Sequence, residues 1–278
     1  MSTELAIGLA AGFVLGALAV LVFRVMAQRR RRPRDLGAAL GLPVLGRVPA
    51  GALGAPGEAA GSGLSTAGLE AFRLLSSNLR RLDSAEPRAV LVTRTSARDE
   101  EAEVGLGLAT ASALSGRRTL LVECDLRHPT LAGRLGIAGR PGLAQYLRGE
   151  ASPQEVLQIV SLASPEPGSL VGAAGERELI CIAGGGPAAD SAELLASDRF
   201  REFVGMVSGV YGTVLLDAGG PDAGEVEGRE LVPLVDAVVL CTAPGRPRRE
   251  GVDRARALIG QPPDRPAGVA VSGGDSRI

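Results

Sequence analysis

The chain has 278 residues, with 31 Asp+Glu, 30 Lys+Arg, one His and a formal net charge of −1. Every basic residue is Arg, which excludes any mechanism that needs a lysine: a Schiff base, a lysine general base, or the lysine of a phosphate-binding loop. The charge is divided, six Arg against one Glu in residues 1–34 and 24 Arg against 30 acids in the remainder, and a basic collar beside an acidic body does not suit a nucleic-acid binder.

The length allows one domain of roughly 200 residues plus extras. In chain order, Leu5 to Phe23 is an uncharged apolar run of 19 residues. At about 1.5 Å per residue it spans roughly 28 Å, the thickness of a bilayer core, and predicts a transmembrane helix over 5–23. Gly8, Gly12 and Gly16 give it a small-xxx-small spacing. Arg24, Arg29, Arg30, Arg31, Arg32 and Arg34 follow the run, so the positive-inside rule places residues 1–4 outside the cell membrane and 24–278 in the cytoplasm. This polarity is the reverse of a cleaved signal peptide. Residues 24–49 read as a basic juxtamembrane segment whose Asp35–Pro49 part looks ordered. Residues 50–68, rich in Gly, Ala, Ser and Pro, read as a flexible linker with a reach of roughly 25 Å.

A domain is expected over 69–278. Glu70 to Leu82 has helical spacing, with Phe72, Leu75, Leu79 and Leu82 on one face. Short apolar runs then predict strands at Ala89–Thr93, Thr119–Cys124, Leu179–Ile182, Thr213–Leu216, Ala237–Cys241 and Val269–Val271. Helices are expected near Glu103–Leu114, Pro153–Ile159, Ser191–Met206 and Arg248–Ile259. Continuous apolar strands alternating with helices indicate an α/β fold, a mostly parallel sheet covered on both faces. Cys124, Cys181 and Cys241 each sit in an apolar run and are expected as buried thiols.

In such sheets ligands bind beyond the carboxyl ends of the strands. After the first of these strands come Arg94, Arg98, Asp99, Glu100, Glu101, Ala102 and Glu103, where a phosphate-binding loop would need glycines, a lysine and a hydroxyl. Four carboxylates in five positions suit a helix N-terminus but repel a triphosphate. After the second strand stand Glu123, Asp125 and Arg127. Acids at i and i+2 point the same way and suit either Mg²⁺ or a solvated strand end. His128 reads as a loop residue. After the fourth strand stands Asp217, the usual place of a magnesium-organising acid.

Together these pieces resemble the bacterial tyrosine kinases of exopolysaccharide and capsule assembly, the cytoplasmic domains of polysaccharide co-polymerases within the deviant-Walker P-loop ATPases. The resemblance runs from the apolar helix and Leu40-Gly41-Leu42-Pro43-Val44-Leu45-Gly46 through Glu70-Ala71-Phe72-Arg73, Val90-Leu91-Val92-Thr93, Asp125-Leu126-Arg127, Gly142-Leu143, Glu193-Leu194-Leu195-Ala196-Ser197 and Leu215-Leu216-Asp217 to Gly245-Arg246. It implies a P-loop NTPase-like fold preceded by one transmembrane helix, a membrane location, polysaccharide-assembly proteins or a related active kinase as partners, and no nucleic acid; it admits a homo-oligomer through Glu70 and Arg73. It also implies departures at the chemistry. Glu101 stands where the family has its loop lysine, Ala102 replaces the magnesium-binding hydroxyl, and Glu123 replaces the first Asp of the second motif. Asp125, Arg127 and Asp217 remain as vestiges.

Exchanging a lysine for a glutamate makes phosphate binding unfavourable at short range, by about 1–4 kcal/mol per charge pair. The expectation is therefore a catalytically inactive, membrane-anchored scaffold or regulator of polysaccharide assembly, without cofactor or metal. Two alternatives stand beside it: an active autokinase using ATP and Mg²⁺ through Asp125, Arg127 and Asp217, and a membrane scaffold related to positioning and partition ATPases.

Overall fold

The computed structural model describes residues 36–54, 64–83, 86–95, 99–162, 177–220, 225–245, 247–260 and 263–274; of 99–102, 225–227 and 274 it describes the backbone alone. The expected transmembrane run at 5–23, Arg98 and residues 55–63 of the expected linker lie outside these. No described helix is long and apolar enough to cross a membrane.

The elements follow in order: α1 (Leu36–Leu40), β1 (Val44–Pro49), α2 (Thr66–Leu79), β2 (Ala89–Arg94), α3 (Asp99–Leu114), β3 (Thr119–Glu123), α4 (Leu131–Leu135), α5 (Leu143–Arg148), α6 (Pro153–Val156), β4 (Gln158–Leu162), β5 (Arg177–Ile182), α7 (Ser191–Ala196), α8 (Asp198–Val210), β6 (Thr213–Asp217), α9 (Glu225–Leu231), β7 (Ala237–Thr242), α10 (Arg249–Ile259) and β8 (Ala267–Gly274). The eight strands form one sheet in the order β1-β8-β7-β2-β6-β3-β5-β4. All neighbours run parallel except β4 against β5. This is the mostly parallel α/β sheet anticipated from the apolar runs.

The central strands are apolar throughout because both faces are covered. On one face Leu91, Leu120, Val122, Leu216 and Val238 pack with Phe200, Phe203 and Val204 of α8. On the other, Val90, Val92, Leu121, Leu215 and Val239 pack with α2 and α3. Helix α3 is buried on every side from Val104 to Leu114, as a helix apolar all round must be. Gly107 lets α3 receive the Phe72 ring of α2: a Cβ there would stand 2.1 Å from the ring.

Four expectations change. Val44–Pro49 is an edge strand paired with β8, so the described domain reaches upstream of residue 69. The ends of the expected linker are packed: Ala52, Leu53 and Leu64 are buried, Leu53 bridges Leu64, and Ser65 caps α2 by accepting from the Gly68 N–H at 3.0 Å. The helix expected at Pro153–Ile159 ends at Val156 and the chain turns into β4. The helix expected at Ser191–Met206 breaks at Ser197, whose hydroxyl donates to the Leu194 carbonyl and accepts from the Phe200 N–H.

Candidate functional site

Strands β2, β6 and β3 lie side by side, and their carboxyl ends carry Arg94, Asp217 and Glu123. Register sets Asp217 directly beside Val92 on one side and Glu123 on the other. Alternation along the strands places Asp217 with Leu215 and Glu123 with Leu121, on the face covered by α3. Two acids directly opposite one another on a sheet repel, so each needs an answer from its surroundings.

Glu123 is buried and answered by backbone. One carboxylate oxygen accepts from the N–H groups of Thr130 and Leu131, at 2.5 and 2.7 Å, and the other from Gly184 at 2.7 Å. It thereby caps α4 from outside the helix and ties the end of β3 to the loop after β5. Burial holds its pKa above the ordinary value, the three donors offset part of the rise, and Asp125 adds to it. Asp125 is also buried. It accepts from the His128 N–H at 3.0 Å and from the Arg94 guanidinium at 3.0 Å. The exposed His128 ring is 3.9 Å away.

Asp217 keeps some contact with solvent as a residue, but its carboxyl is pressed against the α3 backbone. A Cβ at Gly105 would lie 2.6–2.8 Å from all three carboxyl atoms. Desolvation pushes its pKa up to about 8, Arg94 opposes the rise, and Glu123 and Asp125 add to it. Cys124 lies between these acids, and burial raises its thiol well above the ordinary value.

The other expected residues are placed elsewhere. Glu103 faces Arg134 of α4 at 3.1 Å, and the same guanidinium donates to the Gly54 carbonyl at 2.6 Å. Arg127 donates to the Ser191 hydroxyl at 3.2 Å. Glu70 and Arg73 are exposed on α2. Asp99, Glu100, Glu101 and Ala102 form the first turn of α3, one turn before its expected start, where acids favour the helix dipole. Among the described residues no group of three or more His, Cys, Asp or Glu is placed to hold a metal ion.

Sequence reasoning missed Gly184, Gly105 and Arg134. The run Gly184-Gly185-Gly186 directly after an apolar strand was a readable signal. Nothing local marks Gly105 as the floor under Asp217.

No family model matches the chain. It is 22% identical over 191 residues to the tyrosine-protein kinase YwqD of Bacillus subtilis, covering 68% of this chain and 74% of that one. It is 29% identical over 168 residues to the succinoglycan biosynthesis transport protein ExoP of Rhizobium meliloti, covering 59% of this chain but 20% of the relative. The kinase domain of the Escherichia coli tyrosine kinase ETK superposes with a TM-score of 0.68 at 18% identity, over 88% of this chain and 95% of that domain. The homologues of this chain are therefore bacterial tyrosine kinases and a polysaccharide transport protein, and its fold is that of a bacterial tyrosine kinase domain.

Proposed function

We propose that the chain is a membrane-anchored, catalytically inactive relative of the bacterial tyrosine kinases that serves exopolysaccharide or capsule assembly as a scaffold or regulator. The observation that carries this reading is that the strand-end carboxylates are occupied by the protein's own donors: Glu123 by three backbone N–H groups and Asp125 by Arg94. These residues do not fit a magnesium nucleotide. The Asp217 carboxyl abuts Gly105, and the first turn of α3 carries Asp99, Glu100 and Glu101 where phosphate binding needs donors. The tyrosines support the same reading. The sequence has two; Tyr146 is buried beneath the Arg199 guanidinium at 4.8 Å and is not presented as a phosphate acceptor, while the half-buried Tyr211 packs with Arg118. The role in polysaccharide assembly draws on the likeness to the succinoglycan biosynthesis transport protein ExoP, and the membrane anchor on residues 5–23 and the arginines that follow.

Titrating the full chain in detergent with Mg-ATP tests the inactive site. No saturable binding and no phosphoryl transfer are expected. Turnover that Asp217→Ala abolishes would establish an active autokinase instead. Affinity capture from membranes tests the role, and recovery of no envelope or polysaccharide component counts against it.

A further inference from the structure

We propose that the Arg94 guanidinium is the resident cation of the strand-end carboxylates, holding the loop after β3 against the sheet in the place where a nucleotide-binding relative would rely on a divalent ion. This rests on the reading that the site holds no magnesium nucleotide, and the experiment separates the two.

Arg94 is the last residue of β2, and its side chain is largely buried, with 19% exposed. Its neighbours along β2 and across the register explain why a cation is wanted there. Val92, two residues earlier, is level with Asp217, and Asp217 is level with Glu123. Asp125 lies just beyond. Three acids therefore lie at the carboxyl ends of the neighbouring strands β6 and β3. Glu123 already accepts three backbone N–H groups on its two oxygens, so its charge is answered by the protein. The Asp217 carboxyl is pressed against the α3 backbone at Gly105. The remaining carboxylate, Asp125, is engaged by Arg94 at 3.0 Å. A guanidinium in this position stabilises a buried carboxylate through a charge-assisted hydrogen bond and supplies the positive field that opposes the raised pKa of Asp217. The strand end itself is held from the other side: Thr95 donates its N–H and hydroxyl to the Cys241 carbonyl of β7 at 2.9 and 3.0 Å. The arginine is thus presented from an anchored backbone.

The test is thermal unfolding of the full chain in detergent, without nucleotide. The wild-type Tm is expected to be the same in MgCl₂ and in EDTA. Arg94→Lys, which keeps a cation, is expected to retain most of the Tm. Arg94→Gln, similar in size and neutral, is expected to lose several degrees. Asp125→Asn is expected to cost about as much as Arg94→Gln, and the double variant no more than either alone, because both remove one pair. A wild-type Tm that rises with Mg²⁺ overturns the proposal. So does Arg94→Gln as stable as Arg94→Lys, or a double variant whose losses add. Binding of Mg-ATP by the wild-type chain would overturn the functional reading alone, while the nucleotide-free unfolding data still decide the role of Arg94.

Discussion

Glu123 shows how one side chain can be spent on architecture at a position that the resemblance assigns to chemistry. Its two oxygens serve three N–H donors, and an amide cannot do the same, because one of its two terminal atoms is a donor. Glu123→Gln should therefore leave at least one buried N–H facing another N–H and cost about 1–3 kcal/mol, read as a lower urea midpoint at unchanged slope. Asp217 sets a pH dependence. Its pKa rises from 3.8 to about 8 on folding, so the folded state binds the proton more tightly than the unfolded state. The stability this group contributes is full below its ordinary value and is lost as pH rises through about 8. Asp217→Asn should raise stability at pH 8 by on the order of a few kcal/mol and flatten that decline in denaturation curves taken across the range. Both residues were singled out in the sequence. Their roles were not legible there, because Gly184, Thr130 and Gly105, which decide those roles, come from separate stretches of chain.

At the scale of elements, α3 is the piece on which the site rests. Ala ordinarily favours a helix over Gly by about 1 kcal/mol, but at Gly107 the added methyl would meet the Phe72 ring at 2.1 Å. Gly107→Ala should thus be destabilising, by about 1–3 kcal/mol of overpacking, with a lowered Tm as the measurement. The central strands were legible because burial on both faces leaves no room for polar alternation. The edge strands were not. In β1, Gly46, Arg47 and Pro49 interrupt the apolar pattern, and pairing with β8 on one side alone holds it. In β4, Ile159 is exposed, and the run from Pro153 shares its first four residues with a true helical turn.

At the scale of the whole molecule, a fluorescent protein fused after Ile278 should light up in the membrane fraction and be shielded from protease added outside intact cells. Replacing Arg29–Arg32 with neutral residues should weaken that orientation; a soluble fusion would remove the membrane anchor from the proposed function. The α/β class, the order of the central strands along the chain and the absence of any lysine were determined by the sequence alone. Apolar runs, their spacing and residue identity are local properties, and no folding is needed to read them. The tertiary structure decided what the strand-end charges do. Whether a carboxylate binds a ligand or caps a helix depends on which donors lie within about 3 Å of it. Those donors reach Glu123 and Asp125 from positions as far away as Gly184 and Arg94, and the α3 backbone at Gly105 lies against the Asp217 carboxyl, a proximity that only the folded sheet creates.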